Sequence, residues 1–285
     1  NYWLKRAAKN PNSFYGMLSS SILGIKKPID WSANSLDINI QQEIETLPAG
    51  NRIKALIQVG LINELEKEII KINSLMNKEV AIWSLELAQF FNLAYTQLKI
   101  AGNLLAHDVE LPIKYFYPIP SWQPRGGYKI DNALMYAFMH QESMFNTKAK
   151  SKRGAMGLMQ VMPKTAKFIT KNIEVKRNDS NILKNPEINL EVAQEYIEYL
   201  LQHEKVNKNL IYLTAAYNGG PGNLSKWIEK TNYQNDPLFF MESIPSRETR
   251  WFIEKVLTKY WIYENKIGQQ STSLKLMAKG EAPIY

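Results

Sequence analysis

At 285 residues, 45% hydrophobic and 22% charged, the chain is long enough for two packed cores and is balanced as a soluble globular protein is, which excludes a disordered or low-complexity polymer. It has no cysteine, which excludes disulfides and thiolate chemistry, and no apolar run of membrane-spanning length. The formal charge of +8 is uneven: 12 basic and 11 acidic residues precede position 116, and 23 basic and 16 acidic residues follow it. A basic second half suits an anionic partner or solubility alike, and no nucleic-acid module pattern accompanies it. The chain starts at Asn1 without methionine, basic n-region or apolar h-region, so any targeting segment is expected to have been removed or to lie upstream.

The first hundred residues read as short helices closed by glycine. Ser13 to Leu23 ends at Gly24, Ile53 to Val59 ends at Gly60, and Leu61 to Ile72 follows; Trp83 to Ile100 reads as one further helix stopping at Gly102. Helices this short cannot bury an amphipathic face alone, so the pattern predicts antiparallel stacking of the helical-solenoid kind. Tyr115 to Gln123, with Pro118, Pro120 and four aromatics, reads as an extended linker. The expected division is therefore a helical region over 1–114 and a second α domain over 115–285.

Past that linker, Leu134, Met135, Phe138 and Met139 sit at helical spacing in Asp131 to Glu142, which puts Glu142 near a helix C-terminus. The negative end of the helix dipole and apolar neighbours both push that carboxyl toward its neutral, proton-donating form. Pro163 opens a helix expected to run through Lys171; Asn189 to His203 and Asn209 to Tyr217 follow, and Ser246 caps a last helix carrying Phe252, Val256, Tyr260 and Tyr263 on one side. Between these helices lie Gly154-Ala155, Gly157 before Leu158-Met159-Gln160, and Asn218-Gly219-Gly220-Pro221. Turns of this kind bring backbone close to a ligand while presenting amide side chains, a means of holding a polar polymer. The three histidines, His107, His140 and His203, are scattered and lack zinc-helix spacing, and no nucleophile elbow surrounds a serine, so neither a metal nor a cofactor is expected. His140 reads as a helix-surface residue.

Four ordered motifs carry a resemblance. Gln141-Glu142-Ser143-x-Phe145-Asn146, Ser151-x-x-Gly154-Ala155-x-Gly157-Leu158-Met159-Gln160-x-Met162-Pro163, Ala216-Tyr217-Asn218-x-Gly220-Pro221 and Ile244-Pro245-x-x-Glu248-Thr249-Arg250 resemble the catalytic domain of the soluble lytic transglycosylases. More loosely, the segment around Phe14-Tyr15-Gly16 and the glycine-ended helices after it resemble the end of that family's helical superhelix and its linker domain. The resemblance implies a mainly α protein with a lysozyme-like C-terminal domain, a periplasmic or cell-envelope home, and peptidoglycan glycan strands as partner. It implies cleavage of the β-1,4 bond between N-acetylmuramic acid and N-acetylglucosamine without water, closing a 1,6-anhydro ring, with Glu142 as acid and then base.

By the same resemblance Ser151, Gln160, Met162, Tyr217, Asn218 and Glu248 are the expected substrate-binding residues. Tyr217 is the tyrosine near the acid. Two departures stand out: Gly219 where alanine is common, expected to be harmless, and Phe252 where a tyrosine is frequent. A lysozyme-type hydrolase and a catalytically idle wall-binding scaffold are the other readings. Glu142 argues against the scaffold, and the next acidic residue, Glu174, lies outside the motif block, which disfavours the two-carboxylate hydrolase as far as sequence proximity goes.

Overall fold

The computed structural model describes residues 1–26, 28–32, 48–75, 78–170, 175 and 180–285. Glu174 and Lys171 lie outside the described residues. The chain forms two compact units, one of residues 1–28 with 122–285 and the other of residues 29–121. Among the described residues the regular structure is helical, with only isolated bridges and no sheet, and no helix is long and apolar enough to cross a membrane.

The chain opens with α1 (Tyr2–Ala7) and α2 (Phe14–Ile22), the latter capped by Ser13, whose hydroxyl accepts the Gly16 N–H at 3.1 Å. The 29–121 unit then contributes α3 (Pro48–Gln58), α4 (Ile62–Leu75), α5 (Lys78–Phe90) and α6 (Ala94–Ala106), each packed on the next. Their apolar faces meet in a core built on Ile53, Leu65, Ile69, Leu85, Ala88 and Ile100, so the stacking expected of short helices is present here. The run expected as one helix over Trp83 to Ile100 is two. Asn92, with φ 53°, turns the chain between them, and Gly102 sits within α6 instead of ending it. Tyr115, read from sequence as part of a linker, is almost wholly buried in this core; its backbone carbonyl accepts from Gln97 Nε2 at 2.9 Å, and its hydroxyl donates to Glu86 at 3.1 Å.

The larger unit is organised by α7 (Asn132–Ser143) and a long helix introduced below. Before that come α8 (Pro163–Ile169), α9 (Pro186–Gln202), α10 (Leu210–Gly219), α11 (Pro221–Lys230) and α12 (Pro237–Ser243). Prolines occupy the first turn of α8, α9, α11 and α12, where a missing N–H costs nothing. The long helix, α13 (Arg247–Lys266), buries Phe252, Ile253, Val256, Leu257, Tyr260, Trp261 and Tyr263, and packs on α7, α10 and α2. Residues 1–28 belong here because Phe14 stacks on Trp261, with centroids 5.3 Å apart, while α14 (Thr272–Ala278) packs on α2. The end of the chain is tied to the start of α10: Leu210 N–H donates to Pro283 O at 2.8 Å, and Tyr285 N–H donates to Lys208 O at 2.8 Å.

Candidate active site

Glu142 is the penultimate residue of α7. The helix starts at Asp131, whose carboxylate accepts the Ala133 N–H at 2.8 Å, and stops at Met144 and Phe145, both left-handed with φ 51° and 64°. Residues 133–139 are all buried, so α7 is a core helix whose last turn emerges at the surface with a half-buried carboxyl. Burial, and then the charge of Glu248, push the Glu142 carboxyl up to about 8. It therefore carries its proton at neutral pH, as its helix-end position suggests. Glu248 comes from the first turn of α13 and is exposed. Folding thus supplies a second carboxylate that sequence proximity to Glu142 did not reveal.

The glycine-spaced stretch forms a tight double turn beside this acid. Gly157 N–H donates to Ala149 O and Ser151 N–H to Ala155 O, both at 2.9 Å, while Met156 and Val161 exchange N–H···O bonds at 3.1 Å. Ser151 Oγ accepts from Ala155 N–H at 3.0 Å, and Gln160, left-handed at φ 46°, donates from Nε2 to Gly157 O at 2.9 Å. Both side chains thus close the turn on itself. Met162 is 38% exposed and leads into α8.

Asn189 holds the turn from outside. Its side chain is fully buried; Oδ1 accepts the Met159 N–H at 2.8 Å, and Nδ2 donates to Met156 O at 2.9 Å and Leu183 O at 2.8 Å. Gly157 makes room for this: a Cβ there would lie 2.2 Å from Leu183 O and 2.5 Å from Asn189 Nδ2, and φ is +77°. The sequence reading used Asn189 only as a helix boundary. The signal was present, since Asn189 shares a helical face with Ala193, Ile197 and Leu200, and an amide in an apolar stripe needs buried partners.

Tyr217, on α10, reaches across to the same turn. Its hydroxyl donates to Met159 O at 2.8 Å, and its ring packs on Phe138 and Tyr196, with centroids 4.6 and 5.5 Å away. Burial and the adjacent Glu142 charge raise its phenol well above the ordinary range, so it remains a neutral donor. Its neighbour Asn218 accepts at Oδ1 from Thr249 Oγ1 at 2.8 Å, joining the end of α10 to the turn of α13 that carries Glu248. Phe252 is buried, 6.1 Å from the Phe138 ring, so the absent tyrosine hydroxyl is missing from the core.

His140 differs from its sequence reading. It is packed against Phe145 and Tyr263, with Nδ1 3.2 Å from the Tyr263 hydroxyl, and burial together with the Lys259 charge pulls its pKa well below the usual value. Lys259 Nζ donates to Gln141 Oε1 at 2.7 Å, and burial lowers its ammonium to about 8. Among the described residues no cluster of His, Cys, Asp or Glu is arranged to hold a metal.

Residues 122–240 match the family model described as the transglycosylase SLT domain. The soluble lytic murein transglycosylase of Salmonella typhimurium is 29% identical over 93% of this chain and 41% of its own, and that of Escherichia coli K12 is 29% identical over 91% and 40%. The crystal structure of the 70 kDa soluble lytic transglycosylase from Escherichia coli is similar with a TM-score of 0.75 at 25% identity, over 99% of this chain and 45% of that one. The chain spans about two fifths of the length of the curated relatives it matches.

Proposed function

Because the chain belongs to the soluble lytic transglycosylase family, we propose that its larger unit cleaves the β-1,4 bond between N-acetylmuramic acid and N-acetylglucosamine in peptidoglycan, leaving a 1,6-anhydromuramoyl end. The observation that carries this is the protonated carboxyl of Glu142, held up to about 8 in a half-buried setting. In the first step Glu142 gives its proton to the glycosidic oxygen as the C1–O bond breaks. The resulting carboxylate removes the proton from the C6 hydroxyl, whose oxygen closes on C1. Glu142 ends as it began and no water is consumed.

In this reading Tyr217 fixes the turn beside the acid, Gln160 and Ser151 keep the backbone in shape for glycan contact, and Met162 offers an exposed apolar side chain to a sugar face. Asn218 and Glu248 complete the wall from the α10 and α13 side. The substrate sets the location as periplasm or cell envelope. Residues 29–121 carry no chemical motif and serve as a helical scaffold.

The approach of Glu248 to Glu142 favours a second reading, hydrolysis by a carboxylate pair. Mass spectrometry of digested peptidoglycan separates the two, since transglycosylation yields muramoyl ends lighter by one water than hydrolysis does. Glu142→Gln should lower turnover by on the order of 10²-fold or more with the fold intact; substantial residual cleavage rejects the assignment. The pH profile adds a sharper check. Activity should fall as pH rises through about 8, where Glu142 loses its proton. In Glu248→Gln this limit should move to lower pH, because removing the neighbouring negative charge lets the Glu142 pKa fall.

A further inference from the structure

The wall that Glu248 closes continues along α13. Trp251 and Lys255 follow Glu248 at three and seven residues, so the three side chains share one face of the helix, and Lys259 lies one further turn along it. Both ends of this stripe adjoin the acid. The Glu248 charge acts on the Glu142 carboxyl, and Lys259 Nζ donates to Gln141 Oε1, on the residue before Glu142. With about 1.5 Å of rise per residue, Lys255 stands roughly 10 Å beyond Glu248 along the helix.

The two residues between those ends are not core residues. Trp261, on the same helix, is buried and Trp227 is half-buried, but Trp251 is 52% exposed. Lys255 is exposed as well, and its Nζ lies over the indole, 5.6 Å from the ring centroid. Among the described residues it makes no hydrogen bond and no salt bridge. Glu254, next to it in the chain, feels the Lys255 charge but interacts also with Glu242, Arg250 and Tyr15. The Lys255 charge also reaches Lys259, which places its ammonium toward the side of α13 that bonds Gln141. An indole half in water beneath an uncommitted cation is an aromatic and cationic surface open to a ligand.

We propose that Trp251 and Lys255 bind the peptide branch of the glycan substrate, the ammonium taking a branch carboxylate and the indole taking the apolar face of the branch. This rests on the reaction proposed at Glu142 and adds to it a recognition element that the cleavage itself does not need. The chemistry of the substrate selects the branch. N-acetylated sugar rings are neutral and offer a cation no opposite charge, whereas the peptide on a muramoyl residue carries carboxylates. The reach fits as well: an extended peptide advances about 3.3–3.6 Å per residue, so roughly three residues span the distance from Glu248 to Lys255. Glu248 keeps its place in the wall, and Lys255 sets which branches are held beside it.

Calorimetric binding to the Glu142→Gln protein, in which cleavage does not deplete the ligand, tests this with three probes. They are a short glycan carrying its peptide branches, the same glycan stripped of them, and the branched glycan with its peptide carboxylates amidated. The branched glycan should bind about tenfold more tightly than either of the others. Lys255→Met should remove that advantage, Lys255→Arg should keep most of it, and Trp251→Ala should reduce it, while affinity for the stripped glycan stays the same and reports that each variant is folded. Equal affinity for the three probes overturns the subsite without any substitution at 251 or 255, and so does an advantage that survives both Lys255→Met and Trp251→Ala. The parent enzyme separates this from the reaction: absence of anhydromuramoyl products from both glycans rejects the cleavage, whereas the subsite stands or falls on the affinities alone.

Discussion

The two units treat their acids in opposite ways. In the 29–121 unit, Glu68 is held below the usual carboxylate range by Lys71, 2.6 Å away, and Arg52, 3.0 Å away, and Asp30 is lowered by hydrogen bonds from Ser32. In the larger unit Glu142, Glu254 and Glu264 are all raised, each chiefly by burial and each with a like charge nearby. Partners alone do not make the difference, since Lys255 and Arg250 act on Glu254 and Ser271 and Tyr260 bond Glu264; burial outweighs them. An acid whose partners outweigh its burial supports the fold, whereas one whose burial outweighs its partners costs stability, and Glu142 is the one whose retained proton the proposed chemistry uses.

The largest expected effect tests whether the larger unit offsets that cost with buried polar bonds elsewhere. Asn189→Ala removes three hydrogen bonds and strands the Met159 N–H and the Leu183 carbonyl, while Met156 O keeps the Val161 N–H, which should lower stability by about 4 kcal/mol in chemical denaturation. A loss well under 1 kcal/mol would mean that the turn holds itself.

Next comes the acid itself. The folded pKa of Glu142 lies above its unfolded value, so the folded state binds the extra proton and the parent loses stability as pH rises from about 4.5 to about 8. Glu142→Gln should therefore equal the parent at pH 4 and exceed it by on the order of 2 kcal/mol at pH 9. Equal stability at both pH values would mean that burial does not raise the Glu142 carboxyl in the folded state.

The smallest effect lies in the other unit, and its sign is reversed. Glu68 has a lowered folded pKa, so its contribution is present above the unfolded value and disappears as pH falls through the folded one. Glu68→Gln should cost about 1 kcal/mol at neutral pH, limited by the exposure of Arg52 and Lys71, with the difference vanishing in acid. A variant more stable than the parent at pH 7 would erase the contrast between the units.

Local chemistry made much of this legible in the sequence. Ser246 and Asn209 cap α13 and α10, and Pro163 opens α8, because caps and first-turn prolines act over three or four residues. Glu142, Tyr217 and Gln160 stood out because ordered motifs carry them. Contacts between distant positions were not legible. The Phe14–Trp261 stack that fixes residues 1–28 to the larger unit, the approach of Glu248 to Glu142, and the hold of Asn189 on the 156–159 turn each join positions far apart in the chain. Within 83–100 the apolar pattern runs through the break, so only the left-handed backbone of Asn92 reveals it.

Gly219 bears on how this chain can change. An added Cβ there would lie 2.7 Å from the Trp227 ring, so alanine at 219 is not the neutral exchange expected from sequence. Positions 219 and 227 share one volume, on helices that meet at Gly220. A larger residue 219 therefore requires the half-buried indole of Trp227 to swing outward or to shrink, so the two positions are coupled and should vary together.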